Sequence, residues 1–174
     1  MSQMPDLMAF DEVELYFDEP QSPGTAELLA QAAEAYGQPE AEVALLRAYF
    51  LAPQQLGVLV ALYRYYFYQH RLAETLIVAD RALDVSGQRL KLAGDWRTLR
   101  LSVIGLVADH SIGLLRFYLL ALKASAIVLL RIGQVDAGRE RLLKIRELDP
   151  QDRLGVASLL EVPGVGKTPE PADA

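Results

Sequence analysis

The sequence predicts an all-α chain. Three observations carry that expectation: apolar residues recur at helical spacing, strand-like alternation is not sustained anywhere, and short Pro- or Gly-containing turns separate the periodic segments. Residues 1–23 read as an acidic, proline-punctuated arm ending at Pro20 and Pro23. The first helix starts near Thr25, a fitting N-cap, and Gly37-Gln38-Pro39 interrupts it. The second runs from Glu40 to Leu51 and stops before Pro53, because the residue preceding a proline is pushed out of α geometry. The third covers Gln55 to His70 and the fourth Leu72 to Val85, with Ser86-Gly87 as the next break. Gln88 to Gly113 is less regular, with a short helix after Asp95. A long apolar helix covers Leu114 to Ile132, Gly133-Gln134 turns it, and another helix reaches Leu148 before Asp149-Pro150. A last short helix, Arg153 to Val162, precedes a Pro/Gly-rich tail. The division is thus an arm (1–23), a helical domain (24–162, with an insert at about 90–118) and a flexible tail (163–174).

Composition narrows the function classes. The 174 residues are 52% apolar, enough for one packed core. Cysteine is absent, which removes disulfides, thiolate metal sites and a cysteine nucleophile. No basic, then apolar, leader opens the sequence. The most apolar stretch, Leu114 to Leu130, contains Arg116 and Lys123, each costing about 2.5–3.5 kcal/mol at a bilayer centre. A buried helix is the cheaper reading, with no membrane partner and a cytoplasmic location. Charge is divided: residues 1–55 carry ten acidic side chains against Arg47 alone, whereas residues 56–146 carry 14 basic against seven acidic. That asymmetry fits an internal contact between acidic and basic parts or two differently charged surfaces. A pI near 4.9 disfavours nucleic acid.

The stretch LLALKASAIVLLRIGQVDAGRERLLKIRELDP, residues 119–150, resembles a tetratricopeptide repeat, a 34-residue helix–turn–helix unit. The resemblance rests on small residues at the helix crossing (Ala126, Gly138), the turn glycine Gly133, and the ending Glu147-Leu148-Asp149-Pro150. HRLAETLIVADRALDVSG repeats the second half, with Ala82-Leu83 in place and Gly87 where proline usually stands. Ala41, Ala48 and Pro53 fall on the corresponding positions one period earlier. Tyr63 at a usually small crossing site and His70 in place of the turn glycine depart from the pattern. The resemblance implies a short right-handed α-solenoid of about three helix pairs, with an insert and a C-terminal capping helix. It also implies a concave face lined by first helices.

On that register Arg64, Phe67 and Tyr68, then Lys123, Ile127 and Arg131, line the face. A mixed aromatic and basic lining suits an extended peptide with apolar anchors and acidic residues. The family's carboxylate clamp, a Lys and Asn four residues apart, is incomplete here because Ile127 follows Lys123. Trp96, beside Arg97 and Arg100, either anchors a partner or staples the insert to the core while Asp95 caps a helix. The architecture is also similar to small tetratricopeptide chaperones of type III secretion, from which the insert departs.

No catalytic constellation, metal site or cofactor is expected. His70 and His110 lack metal-ligand partners at helical spacing, except Glu74 four residues after His70, and Asp109-His110 has no serine or oxyanion loop beside it. Asp80 and Asp84, one turn apart, read as a solvated face. Residues 163–168, Pro-Gly-Val-Gly-Lys-Thr, mimic a phosphate loop, but Glu161 stands where its first glycine belongs, and neither a strand precedes nor a helix follows. The expectation is therefore a non-enzymatic adaptor or chaperone binding a peptide or protein surface. The arm docks in cis or across a homodimer. Two alternatives stay open: an accessory or assembly factor docking on a larger (metallo)enzyme complex, and a small-ligand-binding or catalytic helical protein with Arg64, Tyr68, His110, Lys123 and Arg131 in one pocket.

Overall fold

The computed structural model describes residues 18–165. Among the described residues the chain is all-helical, with no strand: α1 (Thr25–Glu34), α2 (Pro39–Leu51), α3 (Leu56–Tyr68), α4 (Leu72–Arg89), a 3₁₀ turn (Trp96–Thr98), α5 (Leu101–Arg131), α6 (Val135–Leu148) and α7 (Ala157–Leu160). Each helix packs on the next in sequence, from α1 on α2 through to α6 on α7. Most connections are short turns, which favour antiparallel neighbours. The arm's first 17 residues, and the phosphate-loop mimic from Gly166 onward, lie outside the described residues.

One turn geometry recurs. α3, α4 and α5 all end with a left-handed residue: His70 (φ 57), Lys91 (φ 55) and Gly133 (φ 84). In each, the following N–H reaches back to the carbonyl five residues earlier: Arg71 to Tyr66, Leu92 to Gly87 and Gln134 to Leu129. The left-handed residue's own N–H bonds to the carbonyl three residues back. That double bond satisfies carbonyls the helix end leaves orphaned. His70 thus performs the backbone task for which Gly133 is better suited.

The start of α3 is capped from a distance. Gln55 makes no side-chain cap for α3. Glu19 does so instead: the N–H groups of Leu56 and Gly57 donate to its carboxylate at 2.7 and 2.9 Å, and Arg89 pairs with it at 2.8 Å. Buried Gln55 is itself held by the Ser22 N–H at 3.0 Å and the Thr25 hydroxyl at 3.2 Å. At the other end Asp149 accepts the Leu154 N–H, and Asp152 accepts Val156 N–H at 2.7 Å, which starts α7.

Three boundaries differ from the sequence reading. α4 does not break at Ser86-Gly87 but continues to Arg89. The Ser86 hydroxyl, fully buried, lies 2.7 Å from the Ala82 carbonyl, and a Cβ on Gly87 would sit 3.1 Å from the Tyr118 ring. Gly87 is a close-approach residue inside the helix. The long helix begins at Leu101, well before Leu114, with non-helical geometry at Ser111 (φ −152, ψ 51) marking a kink. Kinks without proline fall at Gly and Ser, and Gly113 lies two residues on. Finally, the last helix is only Ala157–Leu160, short of the expected Arg153–Val162.

The core runs through all the helices. Leu56, Leu59, Phe117, Leu122, Leu142 and Ile145 are fully enclosed, each side chain contributing about 1.5–3 kcal/mol by leaving water. α5 is long and apolar enough to cross a membrane, but 67% of its most apolar window is buried among the other helices. Ala126, fully buried, faces Gly138, where a Cβ would come within 2.9 Å of the Ala126 carbonyl oxygen.

Candidate functional site

α3 reads LGVLVALYRYYFY, so its aromatic residues point around the helix and divide between interior and surface. Tyr63 and Phe67, one turn apart, stack with ring centroids 5.7 Å apart and an interplanar angle of 13°. Tyr68 meets Phe67 edge-on at 5.9 Å. From the last turn of α5, the Arg131 guanidinium lies 4.8 Å from the Phe67 ring centroid. A cation over a ring is attracted by its quadrupole, by about 0.5–1 kcal/mol where exposed. Burial pushes the Tyr63 hydroxyl far above its ordinary pKa, the Arg131 charge opposing.

The structure therefore brings Phe67, Tyr68 and Arg131 together across α3 and α5. Phe67 is nearly buried, Tyr68 and Arg131 exposed. Arg64 is half-buried one turn before Tyr68. Ile127, half-buried, packs against the core. Lys123 is engaged elsewhere as well: its ammonium donates to the Leu154 carbonyl at 2.6 Å and so ties α5 to the loop after α6. His110 is exposed beside the kink.

Trp96 is placed apart from these residues. It is 8% exposed, with Arg97 stacked at 4.2 Å and Arg141 at 5.6 Å from its ring. Asp95 accepts the Arg97 N–H and starts the 3₁₀ turn, and Arg97 pairs with Asp95 and with Glu140 of α6. Trp96 lines a cleft of about 510 Å³ with Asp80, Asp84, Asp95, Tyr118 and Arg141. The sequence reading singled out Trp96 but not Tyr118 or Arg141. The available signal was the Asp80/Asp84 spacing, which an exposed polar helix face shares.

A third cluster joins α2, α3 and α4. Arg71 pairs with Glu42 at 2.8 Å and Glu74 at 2.8 Å, and covers the Tyr66 ring at 4.7 Å. The Tyr66 hydroxyl donates to Glu42 at 3.1 Å. Burial, then the bond to Glu42, raises Tyr66 to about 12, and hydrogen bonds from Arg71 hold Glu74 below the usual carboxylate range. Among the described residues no group of three or more His, Cys, Asp or Glu is placed to hold a metal ion.

Fold and surfaces together define an all-helical protein with an aromatic-basic face and a carboxylate-rimmed cleft. Over 157 residues the chain is 47% identical to a protein of Azotobacter chroococcum mcd 1 named "Uncharacterized 19.8 kDa protein in nifW 5'region", the match covering 90% of this chain and 88% of the other. The chain belongs to the family of that protein. No family model matches it, and no solved structure does.

Proposed function

We propose that this protein is a non-enzymatic, cytoplasmic adaptor or chaperone that holds a peptide or protein surface on its α3–α5 face. The observation that carries the reading is the Tyr63–Phe67–Tyr68 aromatic cluster, with Arg131 from a second helix over Phe67. Aromatic residues and arginine are the side chains that dominate binding energy at protein interfaces. The consecutive pairs α1–α2, α3–α4 and α5–α6 support a short tetratricopeptide-like array, with α7 as its cap. In such an array α3 and α5 are first helices and line the concave side.

The test is a paired capture from the native source. Wild-type protein retains a partner, whereas the variant R64E/R131E, with unchanged helical circular dichroism, loses it. Retention of the same partner by the variant overturns the assignment of the face. A second reading is an accessory or assembly factor docking on a larger (metallo)enzyme complex. The relative's position in the nifW 5′ region favours it, because neighbouring bacterial genes commonly serve one process. Under that reading the captured partner is an enzyme subunit encoded near the gene.

A further inference from the structure

We propose that residues 1–17, the chain's own acidic and aromatic arm, occupy the α3–α5 face in cis. The proposal rests on that face being a binding surface, but not on its holding a foreign partner.

Accessibility confines contact on α3 to one stripe. Within Leu56–Tyr68 every residue is buried except Gly57, Ala61, Arg64 and Tyr68. Their spacing of four, three and four residues puts them on one side of the helix. The stripe starts on small residues and ends on a cation and a ring. On α5, Arg116, Lys123 and Arg131 recur every seven or eight residues and so share a face. α3 contains no acidic residue and α5 only Asp109, so the carboxylates that answer these cations come from outside both helices.

The arm is delivered to the head of that stripe. Glu19, 5% exposed, accepts the N–H of Gly57, the stripe's first residue, and pairs with Arg89. The Ser22 N–H, donated to Gln55, pins the chain a second time. Residues 1–17 carry Asp6, Asp11, Glu12 and Glu14 and no basic side chain, so their charge is opposite to that of the face. The order of the chemistry matches as well. Outward from Glu19 come Phe17, Tyr16 and Leu15, then Glu14, Glu12 and Asp11. Outward from Gly57 comes Ala61, then Arg64 and Tyr68. Arg64 stands about 10 Å along the helix from Gly57, and the five residues from Glu19 to Glu14 reach about 17 Å when extended. The arm's apolar side chains thus meet the small residues, and its carboxylates meet Arg64, with Arg131 across from it. A partner then gains this face only by displacing the arm.

The chain has no cysteine, so Ala9→Cys with Gln69→Cys accepts one pair of nitroxide labels, on the arm and at the end of α3. The distance between the labels is measured in the full-length protein without any partner, so the outcome is independent of the capture experiment. The expected result is one narrow distribution that an excess of unlabelled chain leaves unchanged. It broadens severalfold in R64E/R131E and in D11N/E12Q/E14Q. The arm substitutions leave every described contact in place, so they read docking even where the face variant is destabilised. A broad distribution in the unsubstituted background, or a narrow one that either variant keeps, overturns the proposal. A distance that changes when unlabelled chain is added assigns the arm to a second copy and overturns docking in cis.

Discussion

Gly138 of α6 lies against Ala126 of α5 so closely that a Cβ would stand 2.9 Å from the Ala126 carbonyl oxygen and 2.8 Å from Leu130 Cδ2. Backbone cannot yield as a flexible side chain does. Gly138→Ala is therefore expected to cost about 1–3 kcal/mol as overpacking, although alanine is the better helix former. Urea denaturation measures it, and a variant as stable as wild type would show that the two helices separate freely.

Glu19 holds the start of α3 through two backbone N–H groups while 5% exposed and paired with Arg89. Glu19→Gln keeps the shape but removes the charge. Hydrogen bonds to charged groups contribute about 1.5–3 kcal/mol each, so a loss of about 1–3 kcal/mol is expected for the site. Hydrogen exchange at Leu56 and Gly57 should accelerate more than exchange in α6.

His70 and Lys91 stand in left-handed backbone geometry. For an L-residue that geometry costs about 1–2 kcal/mol, which glycine does not incur. Replacing either by glycine frees more of the unfolded chain and recovers only part of this, so an increase of up to about 1 kcal/mol is expected. A melting temperature lowered by both substitutions would mean that the side chains, and not the backbone, secure these turns.

Tyr66 and Tyr118 both titrate at about 12, raised chiefly by burial. A folded-state pKa above the unfolded value near 10 gives stability that is fully present below pH 10. It is lost as pH rises from 10 through 12. Absorbance of phenolate should show these two ionising late, and denaturation midpoints should fall across that interval. For Tyr118→Phe the fall should be smaller.

The all-α class was legible because helical spacing and punctuation agree along the chain. The α5–α6 crossing was legible too, since Ala126, Gly133 and Gly138 are small or conformationally free where close approach and a left-handed turn require it. Ser86-Gly87 misled for a physical reason. Local breakers lose their effect when a neighbouring ring needs the space and the hydroxyl can bond to carbonyls one turn back. The Glu19 cap spans 37 residues, and no local pattern encodes such a contact. The aromatic run of α3 announced surface and core together, but only packing shows that Phe67 meets Arg131.

The loop after α6 has a consequence for assembly. Lys123 holds it by the Leu154 carbonyl, and Val156, Leu159 and Leu160 bury themselves beneath it. At the opposite end of the chain order, α2 leaves Phe50 81% and Val43 56% exposed. Head-to-tail growth of a filament needs two complementary open ends. Under the proposed array the α6 end is covered by the chain's own residues, so among the described residues α2 is the end that keeps large apolar side chains exposed to a second copy.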